Sequence, residues 1–146
     1  FEIGKMQDTE FDLAAFTPYL LNQAAESQSI DFSSIYKNRY GMLQTEWRVL
    51  FHLGRYGPLS AKDISTRASI HKTKVSRAVQ ALAEKQFLRR ETSMKDRRIE
   101  RLILRPRGHD AFNYLVKEAA SYEKNLDQRL GPEQVKILKS LLKSLA

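Results

Sequence analysis

The stretch Ser93-Met94-Lys95-Asp96-Arg97-Arg98-Ile99-Glu100-Arg101 is crowded with guanidinium groups. It lies between two segments that read as strands, residues 87–92 and 99–104, so Lys95, Arg97 and Arg98 fall at the tip of a hairpin. A thin basic loop suits the minor groove of DNA or a line of phosphates, because narrow A·T-rich grooves focus negative potential and attract inserted Arg. Asp96 repels phosphate, and its use there is to hold an Arg in place before binding. A second set of residues lies upstream. In "IHKTKVSRAVQALAEKQFL", Val75, Ala78, Val79 and Leu82 recur at helical spacing and face inward. The opposite face displays Lys72, Thr73, Ser76, Arg77 and Gln80, with Lys74 to the side. Arg and Lys donate to guanine O6 and N7, Gln pairs with adenine, and Ser or Thr reaches several base edges or phosphates. Both sets have a plainer reading, a solvated turn and a solvated helix face.

The elements that position these residues carry local signals. Ser60 and Asp63 form an S-x-x-D capping box, and Leu59 and Ile64 take the two positions of a hydrophobic staple. A short helix is expected from Ser60 to about Arg67, with Ser60 itself among the candidate DNA contacts. With His71 as a cap, Ile70 and Val75 make a second staple, and a helix is expected over 71–85. Two short helices joined by three or four residues are the layout of a helix-turn-helix. Upstream, residues 8–36 read as a long helix, kinked or starting near Pro18. The run 43–58 reads as a helix capped by Thr45, with Leu43, Trp47, Leu50, Phe51 and Gly54 on one face, closed by Gly57-Pro58. Downstream, a helix is expected over 108–129 with a stripe of Phe112, Leu115, Val116, Ala119, Tyr122 and Leu126. A last helix starts at Pro132, which suits the first helical position. The fold class is mainly α with a small β-hairpin wing. A winged helix-turn-helix core over 39–106 is flanked by an N-terminal helical region, 1–38, and C-terminal helices, 107–146. The flanking helices are apolar on one face and have little in this chain to cover, so a second copy is their expected partner. Phe11, Leu20, Leu130, Leu138, Leu141, Leu142 and Leu145 are the candidate interface residues.

Composition narrows the function. The 146 residues carry 25 Lys plus Arg against 17 Asp plus Glu, a net charge of +8. Between Arg89 and Arg107 stand eight basic and three acidic residues, so much of the excess surrounds the hairpin. A basic surface of this kind favours a polyanion, nucleic acid first. There is no Cys, which removes disulfides, thiolate metal sites and thiol redox sensing. His52, His71 and His109 are scattered and form no metal-ligand pattern, so no metal and no cofactor is expected. No G-x-S-x-G, phosphate loop or H-E-x-x-H occurs, and an enzyme is not expected. No apolar run approaches the ~18 residues of a membrane span, and a cytoplasmic location is the expectation. The chain begins at Phe1 rather than Met, so that end says nothing of targeting.

From about Gln44 to Gly108 the chain resembles the MarR family of bacterial winged-helix transcriptional regulators. The resemblance rests on "EWRVLFHLGRYGPLSAKDIS", "IHKTKVSRAVQALAEKQFLRR" and "DRR" followed by "LILRPRG". It implies that Arg98 of the D-x-R motif enters the minor groove, that Asp96 orients it, and that the helix from His71 reads the major groove. It implies an obligate dimer built from the first helix and the last two. It implies a site for a small aromatic acid or phenolic effector, with Phe16, Tyr40, Trp47, Arg48 and Phe51 as candidates. Trp47 would stack on a ring and Arg48 would pair with a carboxylate, although Trp47 and Phe51 equally suit an ordinary core. Two positions depart from the family. Gln86 stands where Gly usually ends the recognition helix, so that helix is expected to end by another device. Arg105 replaces a Thr cap, which weakens the start of the following helix by ~1 kcal/mol.

The expected function is therefore a dimeric, ligand-released repressor that binds palindromic operators in double-stranded DNA. The alternative is a winged-helix protein-interaction module with only non-specific nucleic-acid binding. A basic amphipathic membrane binder built on Lys136, Lys139 and Lys143 is a weaker reading, because that helix has no aromatic anchor.

Overall fold

The computed structural model describes residues 11–92, 94–96 and 98–146. Compactness divides the chain after Ser34 into Phe1–Ser34 and Ile35–Ala146. In the first unit the Asp12 carboxylate accepts from Ala14 N at 3.0 Å and caps a 3-10 turn, Leu13–Ala15. The Phe11 and Phe16 rings meet edge to face there, 5.2 Å apart. Helix α1, Thr17–Tyr40, then begins with Pro18 in its first turn, where a missing N–H costs nothing. Residues 11–27 are all exposed, Phe11, Leu20 and Phe16 included.

In the second unit α1 ends at Gly41, whose φ of +65° lets Met42 N donate back to Tyr36 O. Helix α2, Gln44–Tyr56, follows. Leu43 holds its N-cap position without a side-chain bond, and Thr45 lies inside the first turn rather than capping it. The inward face also differs from the expected one. Glu46, Val49, Leu50 and Leu53 are buried, Leu43 is exposed, and Trp47, Phe51 and Gly54 are half-buried. Periodicity alone places a Glu outside. Glu46 goes in because the Lys85 ammonium, from the turn 39 residues further along the chain, reaches its carboxylate at 2.9 Å.

Helices α3, Ala61–Ala68, and α4, Lys72–Glu84, form the helix-turn-helix. Ser60 Oγ accepts from Asp63 N at 3.1 Å, and Ser60 N donates to the Asp63 carboxylate at 3.3 Å, so both arms of the capping box are made. The turn runs through Ser69, left-handed at φ 53°, and Ser65 Oγ donates to Ile70 O at 2.5 Å. His71 Nδ1 then accepts from Thr73 N at 3.2 Å and caps α4. Ile64, Ile70 and Val75 are buried beneath these caps.

The end of α4 corrects an expectation. Gln86 itself takes the left-handed conformation usually left to Gly, with φ 66°. Gln86 N donates to Ala83 O at 3.0 Å and Phe87 N to Leu82 O at 2.9 Å, the paired bonds of a Schellman ending. Phe87 and Leu82 are fully buried, and their burial offsets the backbone strain. The chain then enters an antiparallel hairpin, β1 Leu88–Thr92 and β2 Glu100–Leu104, in register from Leu88 opposite Leu104 to Thr92 opposite Glu100. A bridge between Leu59 and Leu102 ties the segment before α3 to β2.

Helix α5, Pro106–Leu130, starts two residues before the expected position, with Pro106 in its first turn. Arg105 occupies the N-cap position and makes no capping side-chain bond. Its backbone N–H instead donates to Phe87 O at 2.9 Å. A Cβ on Gly108 would stand 2.1 Å from that same carbonyl, so only Gly lets α5 approach so closely. Of the expected α5 stripe Leu115 is buried, with Ala111 and Gly108 beside it, while Val116 is exposed. Helix α6, Pro132–Leu145, buries Val135 and leaves Leu138, Leu141, Leu142 and Leu145 exposed, with Leu130 exposed just before it. Lys139 on α6 pairs with Glu123 on α5.

Candidate nucleic-acid interface

Helix α4 divides cleanly. Val75, Ala78, Val79 and Leu82 are buried, while Lys72, Thr73, Lys74, Ser76, Arg77 and Gln80 are exposed. Between α3 and α4 lies a groove of about 760 Å³, lined by Ala61, Lys62, Ser65, Thr66, Lys72, Thr73 and Ser76. Lys62, Ser65 and Thr66 were not singled out from sequence. Their signal was present, because Lys62 and Thr66 stand four apart on the exposed side of a helix that the capping box had located. Ser60, at the mouth of α3, accepts from Asp63 N and keeps its hydroxyl proton to donate.

At the wing, Asp96 is half-buried and Met94, Lys95 and Arg98 are exposed. Asp96 Oδ1 accepts from Arg98 N at 3.0 Å and from Arg98 Nε at 3.2 Å. Asp96 O also accepts from Ile99 N at 3.0 Å. One short side chain therefore shapes the turn and aims the guanidinium, whose side chain remains 91% exposed. Arg97 lies outside the described residues.

The candidate effector residues separate. Trp47 stacks on Tyr36 at 6.1 Å and 16°, and Phe51 meets Trp47 edge-on at 5.6 Å. Phe51 continues the row to Phe112 at 5.8 Å. Burial pushes the Tyr36 phenol pKa up, and the nearby Arg48 guanidinium draws it part of the way back. Trp47, Arg48 and Phe51 thus lie together, with Tyr36 as a partner the sequence reading missed. Tyr40 joins a different cluster, edge-on to Phe87 and Tyr114. Phe16 belongs to the first unit. Among the described residues no group of three or more His, Cys, Asp or Glu is placed to hold a metal. No helix among them is long and apolar enough to cross a membrane.

A capped helix-turn-helix followed by a two-stranded wing defines a winged-helix protein. Residues 40–99 match the model of the MarR family, and the curated relatives that the chain resembles are HTH-type transcriptional regulators. The HTH-type transcriptional regulator SAS2155 of Staphylococcus aureus is 23% identical over 113 residues, covering 73% of this chain and 77% of its own. A MarR/EmrR family transcriptional regulator from Acinetobacter superposes with a TM-score of 0.80 at 25% identity, over 92% of this chain and 95% of its own. BpsR of Bordetella bronchiseptica, whose DNA binding is regulated by 6-hydroxynicotinic acid, superposes at 0.83 with 19% identity, over 92% and 96%. These relatives and neighbours are transcriptional regulators, not enzymes.

Proposed function

We propose that the chain is a homodimeric repressor that binds a palindromic operator and leaves it when a small aromatic acid binds. The observation that carries the DNA reading is the division of α4, a polar, basic face laid bare by a fully apolar buried one. His71 caps its N-terminus, the end that a helix-turn-helix presents to base edges. In this reading Lys72, Thr73, Ser76, Arg77 and Gln80 meet the major groove. Lys74 and Ser60 meet phosphates, and Lys95, Arg97 and Arg98 meet the minor groove.

Pairing is supported by the exposed leucines of α6 and by the exposed Phe11 and Leu20 of the first unit. Residues 39–106 would then serve DNA contact, and 1–38 with 107–146 would serve pairing. Two recognition helices must stand ~34 Å apart to read successive major grooves. An effector acts by preferring another spacing, and only to the extent that its affinity differs between the two states. The row Tyr36, Trp47 and Phe51 beside Arg48 offers ring faces and a cation, which suits an aromatic carboxylate. The response of BpsR to 6-hydroxynicotinic acid supports that class of effector. Operator binding places the protein in the cytoplasm.

The test is selection of bound duplexes from fragmented source-genome DNA at about 150 mM salt, a level at which purely phosphate-driven binding has weakened. The expected result is an enriched inverted repeat with half-sites one turn apart. Retention without enrichment, vanishing as salt rises, would favour the protein-interaction module instead.

A further inference from the structure

Arg90, on β1, and Glu84, near the end of α4, hold a reading residue between them. Gln80 Nε2 donates to Glu84 Oε1 at 2.9 Å. Gln80 Oε1 accepts from one terminal nitrogen of Arg90 at 3.0 Å. The other terminal nitrogen of Arg90 donates to Glu100 Oε1, on β2, at 3.1 Å. One planar guanidinium thus spans the base of the wing and the exposed face of α4. The three groups border a shallow groove of about 500 Å³ with Ser76 and Arg77.

The donor and acceptor types leave one orientation for the amide. An ionised carboxylate only accepts, so the Gln80 atom facing Glu84 is nitrogen. A guanidinium only donates, so the atom facing Arg90 is oxygen. An unrestrained Gln turns over freely, and its two ends exchange roles. Here that exchange would set donor against donor and acceptor against acceptor. After both bonds are made, Gln80 retains one N–H and one oxygen lone pair. Adenine asks for that pair in the major groove, a donor to N7 and an acceptor from the N6 amine.

We propose that Arg90 and Glu84 are positioning residues that lock the Gln80 amide in one orientation and so set the base preference at one position of each half-site. The inference rests on the reading of α4 as the base-reading helix. It adds that specificity there depends on a wing residue that touches no base. Arg90→Lys is the informative change. It keeps the charge, so any phosphate attraction and the salt slope survive, but an ammonium lacks the flat fork that serves Gln80 and Glu100 together.

The experiment measures relative affinities of the full-length protein for every single-base variant of its selected operator, for wild type, Arg90→Lys, Glu84→Ala and Gln80→Ala. The wild type is expected to prefer adenine at one position by ~10-fold or more, the discrimination of a good bidentate pair. Arg90→Lys and Glu84→Ala are expected to cut that preference to ~2–3-fold at the position that Gln80→Ala erases, with other positions and the salt slope unchanged. Variant profiles identical to wild type would overturn the inference. So would a loss spread evenly over all positions, the mark of a general structural or phosphate role. A wild-type profile flat at every position would defeat the sequence-specific reading itself, and this inference with it.

Discussion

Replacing Lys85 by Met should destabilise the protein more than any exposed lysine substitution, and the amount follows from one carboxylate. Glu46 is buried in the core of the second unit, its side chain only 4% exposed. The Lys85 ammonium reaches it at 2.9 Å and also donates to Gly41 O at 2.7 Å. Removing the ammonium leaves a buried charge without this partner. Breaking a fully buried pair from one side costs about 3–5 kcal/mol. The Lys85 side chain is 36% exposed, so water can reach the stranded carboxylate, and the expected loss falls to about 2–3 kcal/mol. Glu46→Met should cost less, about 1 kcal/mol, because Lys85 can extend its head into solvent. The double substitution removes the charge together with its partner, and should therefore cost less than the two single losses combined. Urea unfolding measures all four proteins at one fixed protomer concentration, which holds any contribution from pairing constant. The expected coupling is about 1–2 kcal/mol. Losses that simply add, to within ~0.5 kcal/mol, would refute the pairing as the reason Glu46 is buried.

Gln86→Gly should stabilise the protein by ~0.5–1 kcal/mol, because relief of a left-handed non-Gly residue exceeds the entropy Gly adds to the unfolded chain; a lower urea midpoint would contradict the Schellman ending. Arg98→Ala should weaken operator binding and make the slope of log affinity against log salt shallower by about one per wing. An unchanged slope would remove Arg98 from the phosphate-lined groove. Leu141 is 59% exposed, and Leu141→Glu should halve the sedimentation mass if α6 pairs two copies; an unaltered mass would move the interface elsewhere.

The helix-turn-helix was legible in the sequence because its signals are local. Ser60 with Asp63, and His71 with Thr73, complete their bonds within three residues, and the staple pairs, with Ile64, Ile70 and Val75 buried, lie five apart. An Arg-holding role for Asp96 was legible for the same reason, and the family resemblance singled out Arg98, two residues away, as the Arg it holds. Strand limits came within a residue because a short hairpin has little freedom of register once Leu88 and Leu104 at its base are buried.

Tertiary structure decided what no local period encodes. The buried face of α2 turned on Glu46, and Glu46 is buried because a lysine 39 residues away neutralises it. Gln86 took a Gly conformation because Phe87 and Leu82 are held in the core on either side of the turn. Gln80 was readable as a base-contacting type, but its orientation was not, because one of the two groups that set it arrives on the wing ten residues later. The candidate effector residues look alike in sequence, yet packing put Trp47 in a row with Tyr36 and Phe51 and sent Tyr40 to Phe87 and Tyr114. Caps and turns are settled by neighbours along the chain, whereas a buried charge, a strained backbone and a side-chain orientation are settled by groups that only folding brings within hydrogen-bonding distance.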